Sequence, residues 1–182
     1  MTTPSAKPTR ERATVPGLDP AVPYVSRLSA RSALYAQLHQ LLEIEGCALP
    51  ASDFRSRVVD QNRLAKPSAS ARAKLWKELK GRYRLDCDDP LFAAFWAEWK
   101  RCGSEAERSL TAYVLFALND RLVADLGTEW LYPLLRRAPV DIRLADVLAF
   151  IERAFRTHPE ARAWSEETRL AERVNNFETS GV

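Results

Sequence analysis

An all-α fold is what this 182-residue sequence predicts, as a single compact domain of about seven or eight helices. Three observations carry the prediction. Glycine is confined to six positions, while Ala, Leu, Arg and Glu, all strong helix formers, are abundant. Runs of β-branched residues are few. Apolar residues return at three- and four-residue spacings between recognisable helix start and stop signals. At 46% hydrophobic and 28% charged, the composition is that of a globular chain long enough for one real core.

Residues 1–23 hold Pro4, Pro8, Pro16, Pro20 and Pro23 among threonines and cations, too little apolar area to offset chain entropy. They read as a flexible arm, ahead of a helical domain over 24–175 and a tail over 176–182. The first helix is expected over about 27–45, with Leu34, Leu38, Leu41 and Leu42 as its buried stripe and Gly46 as its stop. His39 falls at the stripe's edge, with no metal role. Pro50 precedes a short helix over about 52–60 carrying Phe54, Val58 and Val59.

The next helix is predicted over about 69–85, opened by Pro67, Ser68 and Ser70, because a serine oxygen accepts from the free N–H groups of a first turn. At about 100° per residue, Leu75, Leu79, Tyr83 and Trp76 fill one sector roughly 100° wide. Lys74, Lys77, Lys80 and Arg84 fill an adjacent arc of about 120°. This pair of short helices resembles a helix-turn-helix only weakly, since the LAKPSAS loop is long and lacks a tight glycine turn.

Asp89 and Pro90 restart the chain as a cap and a first-turn proline, for a helix over about 90–101. Leu91, Phe92, Phe95, Trp96 and Trp99 lie along one side; at this regular spacing they read as core rather than as base-stacking groups. Ser104 and Glu107 form a capping box for a helix running to about Leu126. Its stretch from Leu110 to Leu118 is apolar nearly all round, which predicts a central helix surrounded by others. Asn119, Asp120 and Arg121 interrupt it, with Arg121 placed to pair with Asp125. Thr128 is read as the cap of another short helix burying Trp130, Leu131, Leu134 and Leu135. A helix over about 141–156 should turn Leu144, Val147, Leu148 and Ile151 inward. A last helix, capped at Ser165, follows His158-Pro159.

The charge is local. Between Arg63 and Arg84 lie eight cations, namely Arg63, Lys66, Arg72, Lys74, Lys77, Lys80, Arg82 and Arg84, against the single anion Glu78. That segment carries +7 in a chain of net +3, so the remainder sums to −4. A row of cations beside an apolar stripe suits a phosphate backbone, whose charges recur along a line; a solvated helix face is the plainer reading. Arg136 and Arg137 make a second, smaller basic patch. We take these ten residues as the candidate nucleic-acid contacts.

Other chemistry is missing from the sequence. There is no Gly-rich phosphate loop, GxSxG, HExxH or CxxC pair, and the acid pairs sit at helix starts where the helix dipole accounts for them. The expectation is a protein that is not an enzyme, with no cofactor and no metal. The longest apolar run, Ala112 to Leu118, is far short of the ~20 residues needed to span a bilayer, and the N-terminus has no signal-peptide core. With Cys47, Cys87 and Cys102 odd in number and widely spaced, the reading is a cytoplasmic chain with reduced thiols and no membrane partner.

Several strings resemble the small BrxA family of bacterial BREX phage-defence systems. They are NRLAKPSASARAKLWKELKGRYRLD at 62–86, DPLFAAFWAEW at 89–99, SEAERSLTAYVLFALNDRLVADLGTEWLYPLLR at 104–136 and HPEARAWSEETRL at 158–170. The resemblance covers most of the chain from about 30 to 170. It implies an all-helical fold similar to the RNA-binding antitermination factor NusB, and a DNA-binding accessory role in defence against phage. Members of that family are expected to continue beyond the weakly patterned tail seen here. The expected partners are therefore double-stranded DNA, with RNA as a variant, and other BREX proteins. The alternative is a helical adaptor docking on acidic surfaces of those proteins.

Overall fold

A computed structural model of the chain describes residues 18, 22–25, 34–136 and 143–162. Every regular element among them is helical. In chain order these are α1 (Tyr35–Glu45), α2 (Ala51–Arg55), a π-helical continuation (Ser56–Asp60), α3 (Ala69–Tyr83), α4 (Pro90–Trp99) and α5 (Glu105–Asn119). There follow α6 (Arg121–Asp125), a second π-helical stretch (Leu126–Leu131), α7 (Tyr132–Leu135), α8 (Leu144–Thr157) and α9 (Pro159–Arg162).

The helix ends fall where local chemistry places them. Gly46 takes φ 62° and returns its N–H to the Leu42 carbonyl, closing α1. Ser68 accepts from the Ala71 N–H at 3.2 Å to open α3. Asp89 accepts from the N–H groups of Leu91 and Phe92 at 2.9 and 3.2 Å, with Pro90 in the first turn of α4. Ser104 and Glu107 form the reciprocal capping box of α5. The Ser68, Asp89 and Ser104 caps satisfy N–H donors that would otherwise be orphaned, a contribution of about 1 kcal/mol apiece, and Gly46 satisfies a carbonyl.

Two apolar clusters form the interior. The larger joins α1 to α5 through Leu38, Leu41, Phe54, Leu79, Tyr83, Phe92 and Phe116, with Val123 of α6 added. The smaller joins Tyr24, Leu122, Leu126, Val147, Ile151, Phe155 and Ala161. Neighbouring residues of α6, Leu122 and Val123, therefore serve different clusters, and Asp120 through Leu126 are all buried. The middle of the fold is this short helix.

That corrects the expectation for α5. Leu110 is 63% exposed and Val114 47%, so one side of α5 is open. Four-residue spacing keeps Leu110, Val114 and Leu118 on one stripe, exposed at Leu110 and Val114 and half-buried at Leu118. Asp120 ends α5 and caps α6 by accepting from the N–H groups of Leu122 and Val123. No separate helix starts at Thr128. The chain stays helical through it, and the Thr128 hydroxyl donates to the Ala124 carbonyl at 2.8 Å instead of capping. The π-helical widening lies just ahead of Pro133, which lacks an N–H and would crowd the carbonyl four residues back. Trp130, Leu131 and Leu134 are half-buried and Leu135 is exposed, against the burial expected of them. α1 starts at Tyr35, since Leu34 holds a left-handed φ of 56°, although its side chain still joins the core; residues 27–33 of the expected helix lie outside the described residues. On α8, Val147 and Ile151 turn inward as expected, joined by Phe150, Ala154 and Phe155; Leu148 is only half-buried. The arm over 1–23, apart from Leu18, Val22 and Pro23, lies outside the described residues, as do the tail and the Ser165 helix start.

Candidate nucleic-acid interface

α3 is held at both ends. Ahead of it, the Asn62 side chain closes a ring with Lys66, accepting from its N–H at 2.7 Å and donating to its carbonyl at 3.0 Å. The helix packs on α5 and on the π-helical turn after α2. At its C-terminus the Asn119 amide, from the end of α5, donates to the carbonyls of Gly81 and Arg82. Arg84 ends the helix in the left-handed region at φ 50°. Its guanidinium reaches Asp89 at the start of α4, with Nε 2.7 Å and Nη2 2.6 Å from the same oxygen. Burial alone would raise the Asp89 carboxyl. The hydrogen bond from Arg84 and the two capping N–H groups outweigh it and hold the group below its ordinary range.

The ten candidate contacts separate once they are placed. Lys74, Lys77 and Lys80 stand exposed along one side of α3, and Arg63 is exposed in the loop before it, with Lys66 half-buried beside it. None of these five is in an ion pair among the described residues. Arg84 is half-buried and tied to Asp89. Arg136 is exposed at the end of α7 with its guanidinium over the Tyr132 ring, and Arg137 lies outside the described residues.

Arg82 requires a correction. It is fully buried, with Nη1 2.5 Å from the Glu78 carboxylate, 3.2 Å from the Glu78 carbonyl, and its guanidinium over the Phe116 ring. The reason is angular: Arg82 projects about 20° from Leu75, toward the core and away from the lysines. Arg72 is also turned inward, between the directions of Leu79 and Tyr83, and is half-buried. Neither belongs to the exposed row. Helical angle, applied to each arginine rather than to the charge sum, carries the signal for both.

Sequence reasoning missed a cavity of about 570 Å³ beside the row. Trp76, Lys77, Lys80, Gly81, Arg84 and Asn119 line it, together with Asp86 and Asp89. The Lys80 ammonium lies 5.9 Å from the centroid of the Trp76 ring. Trp76 was expected in the apolar stripe; it packs on the core with one side and meets this cavity with another.

Other polar groups have local explanations. Asp86, Cys87 and Asp88 bring one ligand atom each within 4.8 Å of one another, in a turn that satisfies itself. The Asp88 N–H donates to Asp86 and the Cys87 thiol to Asp88. Desolvation and the adjoining carboxylates push the Cys87 thiol up, away from the thiolate a metal would need. His39 sits 3.2 Å from Glu105 and 3.8 Å from Glu43, two carboxylates the sequence reading did not place beside it. Tyr24 stacks on His158 at 3.7 Å and donates to Asp125 at 2.9 Å, which the Arg121 Nε approaches to 2.6 Å as an ion pair. Burial first, then the Asp125 charge, drives the Tyr24 hydroxyl far up, so it serves as a donor that docks residues 22–25 onto α6, α8 and α9.

No described helix is long and apolar enough to cross a membrane. A sequence model of the BrxA family matches residues 22–173. No curated protein and no solved structure matches the chain.

Proposed function

The chain belongs to the BrxA family, and from that premise we propose that it is a non-catalytic DNA-binding accessory protein of a bacterial BREX phage-defence system. It contacts the phosphate backbone of duplex DNA through α3. The supporting observation is the exposed row of Lys74, Lys77 and Lys80, none of them in an ion pair among the described residues, spread over about 9 Å of helix axis. Arg63 and Lys66 extend it on the N-terminal side. Phosphate contacts fix position without reading bases, so the binding is sequence-nonspecific.

The test is the anisotropy of a labelled duplex titrated at salt concentrations from about 50 to 200 mM. Five phosphate contacts give a slope of log K against log salt of about −4.5. The triple variant Lys74→Glu, Lys77→Glu, Lys80→Glu should lose most of the affinity, with its slope falling to about −2 or less steep. Wild-type protein that binds no duplex at the lowest salt refutes the reading; an RNA duplex as competitor decides between the two nucleic acids.

The second reading, an adaptor docking on other BREX proteins, uses the same cations. The open apolar stripe of Leu110, Val114 and Leu118 favours it, since exposed apolar patches mark docking surfaces. Co-purification with those proteins, without salt-sensitive DNA binding, is its signature.

A further inference from the structure

We propose that the cavity between Trp76 and the lysines of α3 receives one unpaired nucleotide of the bound strand, its base stacked on the Trp76 ring and its phosphate held by Lys77 and Lys80. The inference rests on the nucleic-acid reading of α3 and names what that surface takes beyond paired backbone.

Trp76 supplies the first reason. Trp76 is half-buried: part of its ring packs on the core and part lines a cavity that also holds Lys77 and Lys80. Base stacking on an aromatic face is worth about 1–3 kcal/mol and tolerates any base, because every base has a π face. Lys80 already lies over the ring, and its exposed, flexible side chain can swing from the indole to an arriving phosphate.

Gly81 supplies the second. It lies inside α3, where glycine costs a helix about 1 kcal/mol relative to alanine. Its backbone does not need glycine, since its φ is not positive. Packing does not need it either, since a Cβ there would meet nothing within 4 Å. It lines the cavity. The missing side chain leaves the α3 backbone open to the cavity at that point, room in which a ligand can approach closely.

Size and charge agree. About 570 Å³ falls within the roughly 300–1,000 Å³ of small-molecule sites. Of the two acids on the wall, Asp89 is neutralised by Arg84. Asp86 is left as an acceptor suited to the amino group of a base. A paired base cannot enter, because it stays within its own stack. An unpaired one can, with no base pair to break.

The experiment uses two labelled hairpins that carry 2-aminopurine, either paired within the stem or unpaired in a one-nucleotide bulge. Wild-type protein should bind the bulged hairpin roughly tenfold more tightly than the paired one and quench the bulged 2-aminopurine by stacking. Trp76→Ala should abolish both effects while still binding the paired hairpin, and Trp76→Phe should keep part of each. Gly81→Leu puts bulk on the cavity wall at a position where a Cβ meets nothing within 4 Å, so it keeps the measurement decisive even if Trp76→Ala unfolds; it should reproduce the Trp76→Ala loss. Equal affinity for the two hairpins, or quenching that survives both Trp76→Ala and Gly81→Leu, overturns the inference. So does displacement of the bulged hairpin by free adenosine monophosphate at micromolar concentration, which would make this a free-nucleotide site. Paired binding without preference sinks this inference alone; no binding to either hairpin sinks the backbone reading with it.

Discussion

Replacing Arg82 by alanine should unfold part of what holds α3 in place and leave the DNA surface chemically unchanged. The Arg82 side chain is wholly out of solvent, and the partner carboxylate of Glu78 is about one-fifth exposed. Removing one member of a buried pair typically costs about 3–5 kcal/mol, and the partial exposure of Glu78, which can rehydrate, points to the lower end. Loss of the contact with Phe116 adds a packing term in the same direction. For a domain of this size, about 3 kcal/mol lowers Tm by roughly 6–12 °C. Lys77→Ala, on the exposed row, should change stability by no more than about 0.5 kcal/mol. The assay pairs differential scanning calorimetry with duplex anisotropy at a temperature where both variants are folded. Arg82→Ala should lose Tm and keep affinity, and Lys77→Ala should do the reverse. An Arg82→Ala protein with unchanged Tm and weakened DNA binding would refute the reasoning that burial removes Arg82 from the contact set.

Asp89 makes a pH prediction. Its folded carboxyl is held low, so its contribution is present above the ordinary carboxylate value of about 4 and is lost as pH falls below that through the folded value. Asp89→Asn keeps the cap but loses the ion pair to Arg84; it should cost about 1 kcal/mol at pH 7 and flatten the dependence of the urea midpoint on pH below about 4. Gly127→Ala should destabilise by about 1–3 kcal/mol, because the new Cβ would lie 2.6 Å from the Tyr113 hydroxyl and must push that ring aside; chemical denaturation reads the loss. Leu110→Glu should leave the urea midpoint within about 0.5 kcal/mol of wild type, since that side chain is already mostly in water. A large loss there would mean that the stripe is covered in solution.

The split between what the sequence disclosed and what it hid follows the reach of each interaction. Caps act over three residues, so Ser68, Asp89 with Pro90, and the Ser104–Glu107 box were legible, and with them most helix boundaries. The Arg82–Glu78 pair is separated by one helical turn and was legible in principle, but summing charges concealed it. Arg84 finds Asp89 only after α3 has ended, and Asn119 finds the Gly81 and Arg82 carbonyls across 37 or 38 residues. No local pattern carries such contacts. The same limit explains α5: periodicity marked its residues as apolar but could not say which side a neighbour would cover. It also explains the cavity, whose walls come from α3, the turn after it and the end of α5.

The +7 of the segment is therefore not the charge that a partner meets. Two of its arginines are spent on internal ion pairs, Arg82 on Glu78 and Arg84 on Asp89, and both sit in the last turn of α3 or at its cap, where Asn119 also binds. Those internal bonds fix the helix end against α4 and α5. Lys74, Lys77 and Lys80 stand exposed and are in no ion pair among the described residues. A backbone of repeating phosphates rewards that division. The positions of the charges must be set in advance, so that little ordering is left to the moment of binding. The side chains themselves must adapt to a ligand whose sequence they do not read.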